Sequence, residues 1–264
     1  PGSYNIAYGV SADGSVVVGE SGSRAFRWTA ATGMQDLGSL AQAGSSIAYD
    51  VSADGSVVVG SSSTNSAYIH AFRWTAATGM QDLGTLGGNY SRALGVSPDG
   101  SVVVGWANVN NGFPRAFRWT AATGMQNLGT FGGSRSEARG VSATGSVVVG
   151  TAQYYNGNER AFRWTPRTGL EDLNQVYWAL LTNGSYLISA NAISPNGRYI
   201  VGYGYKAARG FTEAFLLDTG APYQDGDTDG NGCVDDADLL RVLFAFGQTG
   251  FRLPEDLNGD QVVD

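Results

Sequence analysis

One cysteine, one histidine and one lysine are all that this 264-residue chain offers of three versatile side chains. A lone cysteine cannot close a disulfide within the chain, so Cys233 either pairs outside this sequence or stays a buried thiol. A lone histidine, His70, rules out sites built from several imidazoles. Basic residues are outnumbered 16 to 23 by acidic ones, for a net charge of −7. That balance speaks against nucleic acid, which needs a basic footprint, and against a polybasic membrane contact. No apolar run approaches the roughly 18 residues of a membrane span. The sequence shows neither an initiator methionine nor a signal peptide, and is read as a mature or trimmed chain whose targeting segment is gone.

What is abundant is glycine, 39 residues of it, and it recurs in register. Gly14-Ser15-Val16-Val17-Val18-Gly19 returns from Gly55, Gly100 and Gly145, and in altered form from Gly197, at spacings of 41, 45, 45 and 52 residues. Each copy precedes an Ala-Phe segment: Ala25-Phe26-Arg27-Trp28-Thr29, then from Ala71, Ala116 and Ala161, and a worn Ala214-Phe215-Leu216-Leu217. A period near 45 with several strands per unit is the signature of a propeller blade; the coils of a β-solenoid are usually shorter.

The third copy predicts the unit. Ala93 to Ser97 is a first strand, and Pro98-Asp99-Gly100 a tight turn. Ser101 to Gly105 is a second strand, whose three valines in a row demand cover on both faces. Residues 106–115 read as a loop of varying length. Ala116 to Thr120 is a third strand, with Phe117 and Trp119 on one face and Arg118 on the other. After the turn at 121–124, Met125 to Gly129 is a fourth. Four antiparallel strands repeated radially give an all-β, five-bladed β-propeller of four-stranded blades, with repeats at about 7–47, 48–92, 93–137, 138–189 and 190–220. The fifth copy has no fourth strand, so nineteen strands are expected where twenty would close the set. Upstream residues or strand donation by another molecule would complete the open blade.

The Ala-Phe-Arg-Trp-Thr-Ala-Ala-Thr-Gly-Met-Gln-Asp-Leu-Gly segments resemble the HAF family of bacterial extracellular repeats, over roughly residues 3–220. The resemblance implies a secreted or cell-surface propeller and carries no catalytic motif.

Composition changes after Pro222, and residues 221–264 read as a separate small module. Asp227, Asp229 and Asn231 stand at positions 1, 3 and 5 of an EF-hand-type loop, and Gly232 allows the turn at position 6. Cys233 offers its carbonyl, Asp235 acts directly or through water, and Asp238 closes the set, an oxygen shell suited to Ca²⁺. An apolar helix is expected over 237–246, ended by Gly247. A second loop offers Asp256, Asn258, Asp260, Val262 and Asp264; Gln261 stands where glycine is usual, and the loop is incomplete. Two loop-helix units without entering helices resemble a type I dockerin, over about residues 224–264. That resemblance implies calcium-dependent folding and a cohesin-like partner, with Asp236 and Ala237 at the partner-selecting positions of the first loop.

No catalytic set emerges. His70 occupies a register held by Arg24, Arg115 and Arg160 elsewhere, a structural position. Asp36, Asp82 and Asp172 recur in the fourth strand and Asp13, Asp54 and Asp99 in turns, as structural residues do. Arg27, Arg73, Arg118 and Arg163 are expected to pair with the fourth-strand acids of their own blades. The varied loops carry Tyr68, Trp106, Phe113, Tyr154, Tyr155, Tyr203, Tyr205 and Phe211, a binding face for protein or glycan. The chain therefore reads as a non-enzymatic extracellular scaffold with a calcium-dependent docking tail. The alternatives are a self-associating filament or sheath subunit and a carbohydrate-active enzyme.

Overall fold

The computed structural model describes residues 4–181 and 184–220. These residues form nineteen strands in five antiparallel sheets, four of them four-stranded and the last three-stranded. Sheet 1 holds β1 (Asn5–Val10), β2 (Val16–Ser21), β3 (Arg24–Thr29) and β4 (Gly33–Asp36). Sheet 2 holds β5 (Ser46–Val51), β6 (Val57–Ser63), β7 (Ile69–Thr75) and β8 (Gly79–Asp82). Sheet 3 holds β9 (Gly87–Val96), β10 (Val102–Val109), β11 (Pro114–Thr120) and β12 (Gly124–Asn127). Sheet 4 holds β13 (Gly132–Val141), β14 (Val148–Tyr154), β15 (Glu159–Thr165) and β16 (Gly169–Asp172). Sheet 5 holds β17 (Tyr186–Ile193), β18 (Tyr199–Lys206) and β19 (Phe211–Asp218). Each sheet is a simple meander.

The period of two divides every sheet into a leading face, toward the preceding sheet, and a trailing face, toward the next. The first and third valines of the triplet point to the trailing face and the middle valine to the leading one. Thus Val16, Val18, Ala25 and Leu37 of sheet 1 pack against Ala48, Val51, Val58, Phe72 and Trp74 of sheet 2. The arrangement repeats between sheets 2 and 3, 3 and 4, and 4 and 5. The core is four such slabs, not one central mass. Complete burial of each such valine or phenylalanine contributes about 1.5–3 kcal/mol.

Polar contacts stitch the slabs. The turns after the first strands of sheets 1, 2 and 4 hydrogen-bond to their counterparts in the next sheet, Ala12 N to Ala53 O at 3.0 Å, Ala53 N to Pro98 O at 2.9 Å and Ala143 N to Pro195 O at 2.8 Å; Pro98 has no N–H to give. In the turns of sheets 1–3 a buried serine accepts a backbone N–H, as Ser52 Oγ does from Val57 N at 2.9 Å, and donates to the turn aspartate.

Two expectations change. The long loops are short tips on extended hairpins: β10 runs to Val109 and β11 begins at Pro114. The Gly-Gly connectors lengthen the first strands (β9, β13), which then pair with the prolonged second strands, as Gly132 does with Tyr154. Trp106, Tyr154, Tyr203, Tyr205 and Phe211 consequently lie on strands. Between sheets 4 and 5 the chain also forms a short helix, α1 (Leu173–Val176), and a 3-10 turn (Trp178–Leu180), neither of which was expected.

Candidate functional site

The recurring charged residues have local structural partners. Arg27 Nε donates to Gly55 O at 3.1 Å, Arg73 Nε to Gly100 O at 3.3 Å, and Arg118 Nε to Gly145 O at 2.9 Å. These bonds join one sheet to the turn of the next, contrary to the expected pairing within a blade. The pleat explains the difference: Arg27 shares the trailing face with Ala25, whereas Asp36 shares the leading face with Phe26. Only in sheet 4 does the arginine meet an acid of its own fourth strand, Arg163 to Glu171 at 2.9 Å. The fourth-strand aspartates find the residue before Ala-Phe or a neighbouring tyrosine. Asp36 lies 3.5 Å from Arg24, Asp82 lies 2.8 Å from His70, and Asp172 accepts from Tyr154 at 2.9 Å. His70 is thus a hydrogen-bond partner of the fourth-strand aspartate, in the register it shares with arginine.

The aromatics singled out in the sequence divide into two groups. Tyr68 meets Tyr90 edge-on at 5.6 Å, Tyr154 stacks on Phe131 at 4.9 Å and Tyr205 on Tyr186 at 5.3 Å. Arg92 lies over Trp106 at 5.8 Å. Desolvation, followed by the Asp172 hydrogen bond, pushes the Tyr154 hydroxyl up to about 12. These four anchor the hairpins. Phe113, Tyr155, Tyr203 and Phe211 are exposed, and Tyr155 at a hairpin tip is 92% accessible. The residues of both calcium loops, 227–238 and 256–264, lie outside the described residues.

Two features were not legible in the sequence. Among the described residues nothing covers the leading face of sheet 1 or the trailing face of sheet 5. Val10 and Trp28 on the first, and Tyr199, Val201 and Leu216 on the second, are exposed, with Leu216 at 68%. The other feature is a cavity of about 570 Å³ beside β19, bounded by Leu180 and Leu181 from the connector and by Phe215 and Leu217 from the sheet.

No protein-family model matches the chain. No curated protein matches it either. Among solved structures it resembles a putative TolB from Agrobacterium tumefaciens, with a TM-score of 0.55 and 15% identity over 81% of this chain and 76% of that one. It also resembles TolB from Acinetobacter baumannii, with a TM-score of 0.54 and 16% identity over 82% of this chain and 55% of that one. At that identity the likeness speaks to the fold alone: an all-β chain of successive antiparallel sheets, as in TolB-type β-propellers.

Proposed function

We propose that the protein is a non-catalytic binding and scaffold propeller of the bacterial exterior, five-bladed once its last sheet is completed, with a calcium-dependent docking tail. The observation that carries the binding role is the contrast between the two ends of the sheets. The 1–2 and 3–4 turns repeat almost unchanged, while the tips between second and third strands differ and carry exposed Phe113 and Tyr155. Aromatic tips on a rigid scaffold suit recognition of a protein surface or a glycan. The two TolB resemblances support the propeller architecture. The HAF-like repeats support an extracellular setting. The dockerin-like spacing of Asp227, Asp229, Asn231, Asp235 and Asp238 supports Ca²⁺ binding and a cohesin-like partner.

Calorimetric titration of the full chain with Ca²⁺ tests the tail; absence of binding removes it. Glycan and surface-protein screens with the Phe113→Ser/Tyr155→Ser variant test the tips, and retained binding in the variant rejects them. A second reading, a self-associating subunit of a filament or sheath, is favoured by the uncovered leading face of sheet 1. A strict monomer in light scattering at high concentration counts against it.

A further inference from the structure

The outer edge of β19 differs from its four counterparts. Register aligns them without ambiguity: Gly202 pairs with Phe215 as Gly19 does with Phe26, Gly60 with Phe72, Gly105 with Phe117 and Gly150 with Phe162. In sheets 1–4 the third strand is covered by Gly-Met-Gln-Asp, Gly-Met-Gln-Asn or Gly-Leu-Glu-Asp. The leucine that follows in sheets 1–3 adds a hydrogen bond of 2.9 Å, Leu37 N to Ala25 O, Leu83 N to Ala71 O and Leu128 N to Ala116 O. Among the described residues no strand covers β19.

The missing strand also leaves a hole. Met80, Met125 and Leu170 project from the fourth strands of sheets 2–4 onto the slab behind them. Each pairs with the third-strand tryptophan, as Leu170 does with Trp164. Leu217 takes that tryptophan's place in sheet 5, and the 570 Å³ cavity lies against it. The residues after Gly220 do not carry the pattern. The turn is two residues shorter than the one from Thr165 to Gly169, and Ala221-Pro222-Tyr223 replaces the Gly-Leu-Glu-Asp type of strand.

We propose that the β19 edge and this cavity form a strand-acceptor site for an extended segment of a second polypeptide. The segment lies antiparallel to β19, with a small residue opposite Asp218, leucine or methionine opposite Leu217 entering the cavity, and a polar residue opposite Phe215. Main-chain pairing supplies affinity, and the buried side chain supplies specificity. The site extends the reading of a protein-binding propeller and is independent of the calcium tail.

The test uses the full chain and a labelled peptide with the sequence of residues 168–174, Thr-Gly-Leu-Glu-Asp-Leu-Asn. Saturable binding in fluorescence anisotropy is expected, together with slowed amide exchange at Leu216. By the alternation set by Leu37 N to Ala25 O, Leu216 N–H faces the open edge. Placing lysine at the peptide's third residue weakens binding by about tenfold or more, the equivalent of losing one buried leucine. Leu216→Pro in the protein gives a similar loss, since proline is tolerated where an edge N–H faces outward. Phe113→Ser/Tyr155→Ser leaves peptide binding unchanged, so failure here and failure of the tip reading are separable. The proposal is overturned by absent binding, by equal binding of the lysine peptide, or by slow exchange at Leu216 before peptide is added. That last result would place the chain's own residues on the edge. The peptide comparison uses unaltered protein and stays decisive if Leu216→Pro does not fold.

Discussion

Ser91 of sheet 3 closes a hydrogen bond that belongs to sheet 2: its hydroxyl accepts from the backbone N–H of Ala71 at 2.8 Å and donates to Gly84 O. Ser46 and Ser136 make the same bridge to Ala25 and Ala116. The hydroxyl sits between two apolar slabs, so its removal leaves a buried donor and a buried acceptor unmet. Ser91→Ala should cost about 1–3 kcal/mol in urea unfolding, whereas Ser45→Ala, on the exposed side of the turn, should stay within about 0.5 kcal/mol.

Gly100 and Gly14 occupy equivalent turns with φ near +72 and +73. A Cβ on Gly100 would lie 2.4 Å from Val57 Cγ2 of the preceding sheet, while one on Gly14 meets nothing within 4 Å. Gly14→Ala should therefore cost only the left-handed backbone term, about 1 kcal/mol. Gly100→Ala should cost clearly more, because β-branched Val57 has little freedom to move away. Thermal unfolding of the two variants measures the difference.

Trp74 and Trp28 hold the same register on the leading faces of sheets 2 and 1. Trp74 is 8% accessible beneath the preceding sheet; Trp28 is 38% accessible. Trp74→Ala should destabilise by about 3–5 kcal/mol. Trp28→Ala should cost markedly less. Equal losses in denaturant titration would mean that the leading face of sheet 1 is covered in solution.

Acid should loosen the turns over a definite window. The backbone N–H of Ser15 and the hydroxyl of Ser11 hold Asp13 down to about 2, and the Ser52 hydroxyl with the Ser56 N–H holds Asp54 at about 2. A carboxylate lowered in the folded state contributes stability above its ordinary value of 3.8, lost as pH falls through about 2. Asn196 serves the same turn in sheet 5, accepting from Ser194 at 2.7 Å and from Arg198 N at 3.2 Å without a charge. Asp13→Asn/Asp54→Asn should keep the fold at neutral pH and flatten the stability profile between pH 4 and 2, as followed by circular dichroism.

Much of this architecture was legible in the chain. Strand number among the described residues and meander order follow from the glycine-bounded valine triplets and the Ala-Phe repeats, because both patterns are local. Hairpin lengths were not legible. Residues 106–115 look like a loop until Gly87 is seen pairing with Val109, a contact made across more than twenty residues. Arg27 was misassigned for a similar reason. The sequence shows its neighbours along the strand, while its partner, Gly55 O, belongs to the next sheet.

The sequence by itself determined the repeating unit, since turn glycines and period-two apolar residues act over a few residues at a time. Only the tertiary structure decided which copies of that unit are satisfied. Val58 and Val17 are the same letter in the same motif, yet one is sealed between two sheets and the other is half-open, because burial depends on whether a neighbouring sheet is there to supply it.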